Sequence, residues 1–185
     1  MSGKVFDDIK IIFEQIGIKT ADEGSLINSV YTLNGVRSYK KMKMSVTVVH
    51  YYWPHFSEIW IDGLVVPKEK IATAHELASR INSILHYDHF KIDPESGEVQ
   101  LFAGFYSGMI GCDEEDDNSP LDDGMDGYSF FHLRMLISQM IIRFYPFSPL
   151  FKILVKTDKL PREIIAEFWE KAPKKYKQEL QEYLD

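Results

Sequence analysis

Residues 42–62 read MKMSVTVVHYYWPHFSEIWID. Met44, Val46 and Val48 alternate with Ser45 and Thr47, and Trp60 lies between Ile59 and Ile61. A period of two sends successive side chains to opposite faces of a pleated strand. The stretch therefore predicts two strands, 42–52 and 57–62, of an antiparallel sheet with one buried face. Upstream, LINSVYTL at 26–33 reads as a further strand of the same meander, and Asn34-Gly35 after it reads as its turn. Before that, Val5, Phe6, Ile9, Ile12, Phe13 and Ile16 recur at helical spacing, so 3–17 is expected to be an amphipathic helix that Gly17 ends.

Downstream, Pro67 is placed to open a helix over 67–86, because its fixed φ suits a first turn. Ile71, Ala74, Ala78, Ile81 and Leu85 form its apolar stripe. A short strand at 89–92 and a long one at 98–106 follow, joined by the turn Asp93-Pro94-Glu95-Ser96-Gly97. In the long strand, Phe102 and Tyr106 take outward positions. A helix over 128–145 is expected to stop at Pro146, and Ser148-Pro149 to cap a new one. Pro161 and Pro173 would start two more. The stripe Phe130, Leu133, Ile137, Met140, Ile141, Phe144 leaves Phe131, Met135 and Ile142 on other sides, so this helix needs cover on more than one face. The expected fold class is α+β: an antiparallel sheet of about five strands flanked by helices, with a helical C-terminal extension. Residues 1–157 are assigned to the α+β domain and 158–185 to an extension packed on it.

The 185 residues are 45% hydrophobic and carry a formal net charge of −7, which argues against disorder and against a general nucleic-acid binder. Eight acids fall within 113–126, DEEDDNSPLDDGMD, and without them the chain sums to +1. Asp113, Glu114, Glu115, Asp116, Asp117, Asp122, Asp123 and Asp126 thus form an acidic loop that suits a basic partner. Both EF-hand registers of that loop fail, since Phe130 or Leu133 stands where the closing glutamate belongs. Without a signal-like N-terminus or a long apolar run, a cytoplasmic location away from membranes is expected.

Enzymatic signatures are thin. No phosphate-binding glycine loop and no G-x-S-x-G elbow occurs. His75-Glu76 starts a zinc motif, but Ser79 stands in place of the second histidine. The single cysteine, Cys112, lies beside four acids, which raise a thiol's pKa and lower its reactivity. No catalytic residue, metal or cofactor is assigned. The run Tyr51-Tyr52-Trp53-Pro54-His55-Phe56 is harder to bury, and an exposed aromatic patch of this kind fits a partner surface. Trp53, Phe56, Trp60, Phe102 and Tyr106 are the candidate contacts.

Residues 71–107, IATAHELASRINSILHYDHFKIDPESGEVQLFAGFYS, carry a helix with Asn82, a short strand, an acid-and-glycine turn and an apolar strand. This stretch resembles the YbjN family, and the wider element order is similar to class I type III secretion chaperones. The resemblance implies a small cytoplasmic protein, often homodimeric, that binds protein segments and turns over no substrate. The expected function is a non-enzymatic interaction module holding a client segment on a sheet or helix face. A small-molecule or divalent-metal sensor using His86, His89 and the acidic loop is the alternative. A structural homodimer subunit is the second.

Overall fold

The computed structural model describes residues 4–21, 24–27, 30–40, 42–51, 56–85, 87–106 and 127–171. Its strands are β1 (Lys19–Thr20), β2 (Ser25–Ile27), β3 (Val30–Tyr39), β4 (Met42–Tyr51), β5 (Phe56–Val65), β6 (His89–Ile92) and β7 (Glu98–Tyr106). They lie in the order β1-β3-β4-β5-β7-β6, and β2 pairs with β3 off that path. The helices are α1 (Lys4–Gln15), α2 (Ile71–Asn82), α3 (Gly127–Lys156) and α4 (Pro161–Lys171). The architecture is α+β with a C-terminal helical part. Two compact units form, Met1–Ile61 with Ala103–Ile141, and Asp62–Phe102 with Ile142–Asp185.

In the first unit α1 buries Phe6, Ile9, Ile12 and Phe13, the stripe its spacing predicts. The helix ends as expected at Gly17, whose φ of 70° needs no Cβ. There the Ile18 amide donates to Phe13 O at 2.8 Å and the Gly17 amide to Glu14 O at 3.1 Å, which satisfies carbonyls the helix leaves open. Asn34-Gly35 is not the turn its composition suggests. Both residues lie inside β3, where Gly35 pairs with Val46 and Asn34 with Thr47. The reason is packing: a Cβ on Gly35 would sit 2.3 Å from the Ile18 side chain and 2.8 Å from the Phe13 ring. Glycine is there to let α1 approach, and Asn34 Oδ1 accepts the Thr47 hydroxyl at 2.8 Å. The chain reverses instead after Tyr39, which pairs with Met42, and Lys40 takes the positive φ of 45°. In β4 Met42, Met44, Val46, Val48 and His50 are buried, and in β5 Ser57, Ile59 and Ile61. His50 Nδ1 and Ser57 Oγ share a buried hydrogen bond of 2.9 Å.

In the second unit the predicted 67–86 helix is shorter. A 3-10 turn at Lys68–Lys70 leads into α2, which buries Ala74, Leu77, Ala78 and Ile81. Strands β6 and β7 match their predicted spans, in the register His89 opposite Phe102 and Ile92 opposite Val99. Their turn is held by Asp93, whose Oδ1 accepts the Ser96 and Glu95 amides at 2.6 and 2.9 Å. Those bonds, the Ser96 amide foremost, hold the Asp93 carboxyl below its ordinary pKa. Asn82 ends α2 against β6: its amide group donates to Phe90 O at 2.9 Å and accepts the Phe90 amide at 2.6 Å. The Phe90 ring lies among Phe144, Phe147 and Phe151, with centroids 5.5–6.1 Å away.

The expected stop at Pro146 does not occur. Helix α3 runs through Pro146 and Pro149 to Lys156, and no new helix begins at Ser148. Each internal proline removes an amide donor at a cost of about 3 kcal/mol. Burial of Phe147, Leu150, Phe151 and Leu154 offsets that cost, at roughly 1.5–3 kcal/mol for each side chain fully removed from water. Pro149 leaves Tyr145 O without its helical donor, and the buried Ser148 hydroxyl donates to it at 3.2 Å. Helix α4 starts at Pro161 as predicted. Glu163 Oε2 accepts the Leu160 amide at 2.9 Å, one half of a capping box. The helix predicted after Pro173 lies outside the described residues. No helix among the described residues is long and apolar enough to cross a membrane.

Candidate functional site

Alternation in β4, β5 and β7 decides which rings face outward. His50, Ser57, Ile59, Ile61, Val99, Leu101 and Ala103 point inward and are buried. Tyr51, Phe56, Glu58, Trp60, Gly104 and Tyr106 therefore take the opposite face. Among these, Phe56 and Tyr106 come together, with ring centroids 4.7 Å apart and planes tilted by 48°. Tyr51 lies on the other side of Phe56 at 6.1 Å, nearly parallel at 28°.

Gly104 makes this cluster possible. A Cβ there would fall 2.6 Å from Phe56 Cζ and 2.9 Å from Cε2, so the tip of the ring rests on the β7 backbone. Glu58 borders the cluster and accepts the Tyr51 hydroxyl at 3.4 Å, a long bond. Burial, then the neighbouring Glu58 charge, raises the Tyr51 pKa, so its proton stays in place at neutral pH. Tyr106 is 62% exposed, which leaves one ring of the group open to solvent.

Trp60 follows on the same face of β5 and is half-buried. Phe102, in the second unit, has a different setting. Lys91 Nζ lies 3.8 Å from its ring centroid and the His89 ring meets it edge-on at 5.1 Å. Burial first, and Lys91 second, lower the His89 pKa, while Asp88 opposes them. Trp53, His86 and the acidic loop (Asp113, Glu114, Glu115, Asp116, Asp117, Asp122, Asp123, Asp126) lie outside the described residues.

Three residues of the aromatic cluster escaped the sequence reading as contacts: Tyr51, Glu58 and Gly104. Tyr51 and Glu58 were findable in part, because each stands next to an inward residue and so must face out. Their meeting depends on strand pairing, which a local pattern does not carry.

The second unit holds a further carboxylate of interest. Burial, and secondarily Glu98, push the Asp62 pKa up to about 6. A folded-state pKa above the unfolded value means the folded chain binds more protons between about pH 4 and 6. Stability is thus expected to fall as pH rises through that window. Asp62→Asn should be about 1 kcal/mol more stable than the parent at pH 7.5, a figure reduced for solvent screening of a part-exposed group. The gain should vanish at pH 4. Urea unfolding at both pH values checks this, and an equal offset at both would refute it.

No family model, curated protein or solved structure matches the chain.

Proposed function

We propose that this chain is a non-enzymatic protein-interaction module, chaperone-like or regulatory, which holds a client segment on the outward face formed by Tyr51, Phe56 and Tyr106. The observation that carries the reading is the Phe56–Tyr106 pair, two rings in contact at 4.7 Å with Tyr106 largely in solvent. Tyrosine and phenylalanine give large, stiff contact area at low entropic cost, and the tyrosine hydroxyls can pair with a client's backbone. The resemblance of 71–107 to the YbjN pattern supports the same class. Binding by pairing on the β6 edge is disfavoured at Phe90, where both backbone groups already bond to Asn82. A face, not that edge, is the surface on offer.

Aromatic anchors of this kind each contribute about 2 kcal/mol or more, so losing one should weaken binding about 30-fold. The test is affinity capture from the native host with the tagged chain beside its Phe56→Ala and Tyr106→Ala variants, each confirmed folded by circular dichroism. One protein held by the parent and lost from both variants is the expected result. The same protein held equally by all three would reject the surface.

A further inference from the structure

We infer that the anchor taken by this surface is a cationic side chain, an arginine or lysine of a basic client segment, seated on the Phe56 and Tyr106 rings with Glu58 as its counter-charge. The inference rests on the interaction-module reading and specifies its partner.

Elsewhere the chain sets its own cations over several of its rings. Lys10 Nζ lies 4.4 Å over Phe6, and Lys91 Nζ 3.8 Å over Phe102. Arg134 lies 5.5 Å over Phe131, while Arg37 and Lys40 lie 5.9 and 5.5 Å over Tyr39. Each of these rings has a cation from its own chain, drawn by the negative face of the π system. Among the described residues the Tyr51–Phe56–Tyr106 cluster has ring partners and a carboxylate, but no cation of its own.

Its electrostatics call for one. The π faces and the Glu58 carboxylate are negative on the same side of the strand, and Glu58's partner is a tyrosine hydroxyl, not a base. An arriving guanidinium finds two attractions at once: a tilted pair of rings and a fixed carboxylate two residues along β5 from Phe56. Gly104 fixes the Phe56 tip against β7, so the ring is in position before the client arrives.

The test uses a probe peptide of alternating arginine and leucine, and the same peptide with citrulline for arginine. Citrulline keeps the shape and removes the charge. Amide chemical shifts of the 15N-labelled chain are followed at low and moderate salt, for the parent and for Glu58→Gln. The arginine peptide is expected to shift Phe56, Gly104 and Tyr106. The citrulline peptide and Glu58→Gln should each weaken binding about five- to tenfold, and salt should weaken the parent's binding.

Equal affinity for the two peptides would overturn the cationic anchor. So would shifts confined to 113–126 and untouched by Glu58→Gln, or no response to either peptide. Capture from the host separates this failure from failure of the interaction reading. A client lost with Phe56→Ala but fully kept with Glu58→Gln leaves the module standing and removes the cation. A client kept with both removes the surface itself.

Discussion

Arg143→Met is expected to destabilise the chain by about 3–5 kcal/mol, more than any exposed substitution should. Arg143 Nη1 reaches Asp88 Oδ2 at 3.1 Å, and the Asp88 side chain is 0% exposed. Asp88 Oδ1 is buried and has no hydrogen-bond partner. Removing the guanidinium therefore leaves a charged carboxylate away from water and without compensation. Asp88→Leu should cost less, because the Arg143 side chain is 18% exposed and has other interactions to fall back on. The double variant Asp88→Leu with Arg143→Met should recover most of the loss, since apolar replacements for a buried pair are often neutral or better. Urea unfolding of the four proteins closes the cycle. Single variants within about 1 kcal/mol of the parent would show that the pair is energetically idle.

Gly97→Ala is the second large effect, with an expected loss of about 3 kcal/mol. Gly97 has a φ of 74°, and a Cβ there would stand 2.1 Å from Val66 O. That atom is backbone and cannot swing aside. Moving it strains the bond from the Val66 amide to Gly97 O, now 2.8 Å. Gly17→Ala is the matched control. Its φ of 70° is similar, yet nothing lies within 4 Å of the added carbon. Only the left-handed conformation is penalised there, by about 1–2 kcal/mol. Thermal unfolding of both variants separates conformation from collision, and equal losses would mean that Val66 yields freely.

What the sequence showed, and what it hid, follows the range of the forces involved. Alternation in 42–62 and 98–106 marks β4, β5 and β7 and the outward position of Tyr106, while Phe56, expected in the connection before 57, is the first residue of β5. Each such strand announces itself within ten residues. Asn34-Gly35 reads as a turn because the pair favours one locally, but the glycine answers to Phe13 and Ile18 elsewhere in the chain. Pro146 reads as a stop for a similar reason. Its local penalty is real, yet aromatic burial at Phe147 and Phe151 outweighs it. The Asp88–Arg143 pair spans 55 residues, and no short-range pattern ties the two together. The aromatic cluster sits between these cases. Alternation exposes its rings, and only the tertiary fold brings Tyr106 onto Phe56.

The Asn82 side chain has a consequence beyond tethering a helix end. β6 is the last strand in the sheet order, and the outer side of a terminal strand is a template on which a foreign strand can add. Phe90 is the middle of that short strand, and Asn82 presents to it one amide donor and one acceptor, the same pair an incoming backbone would offer. A single side chain thus fills a rung before any other molecule arrives. At high concentration, where open sheet edges nucleate fibrils, a strand adding here would have to displace Asn82 to pair at Phe90.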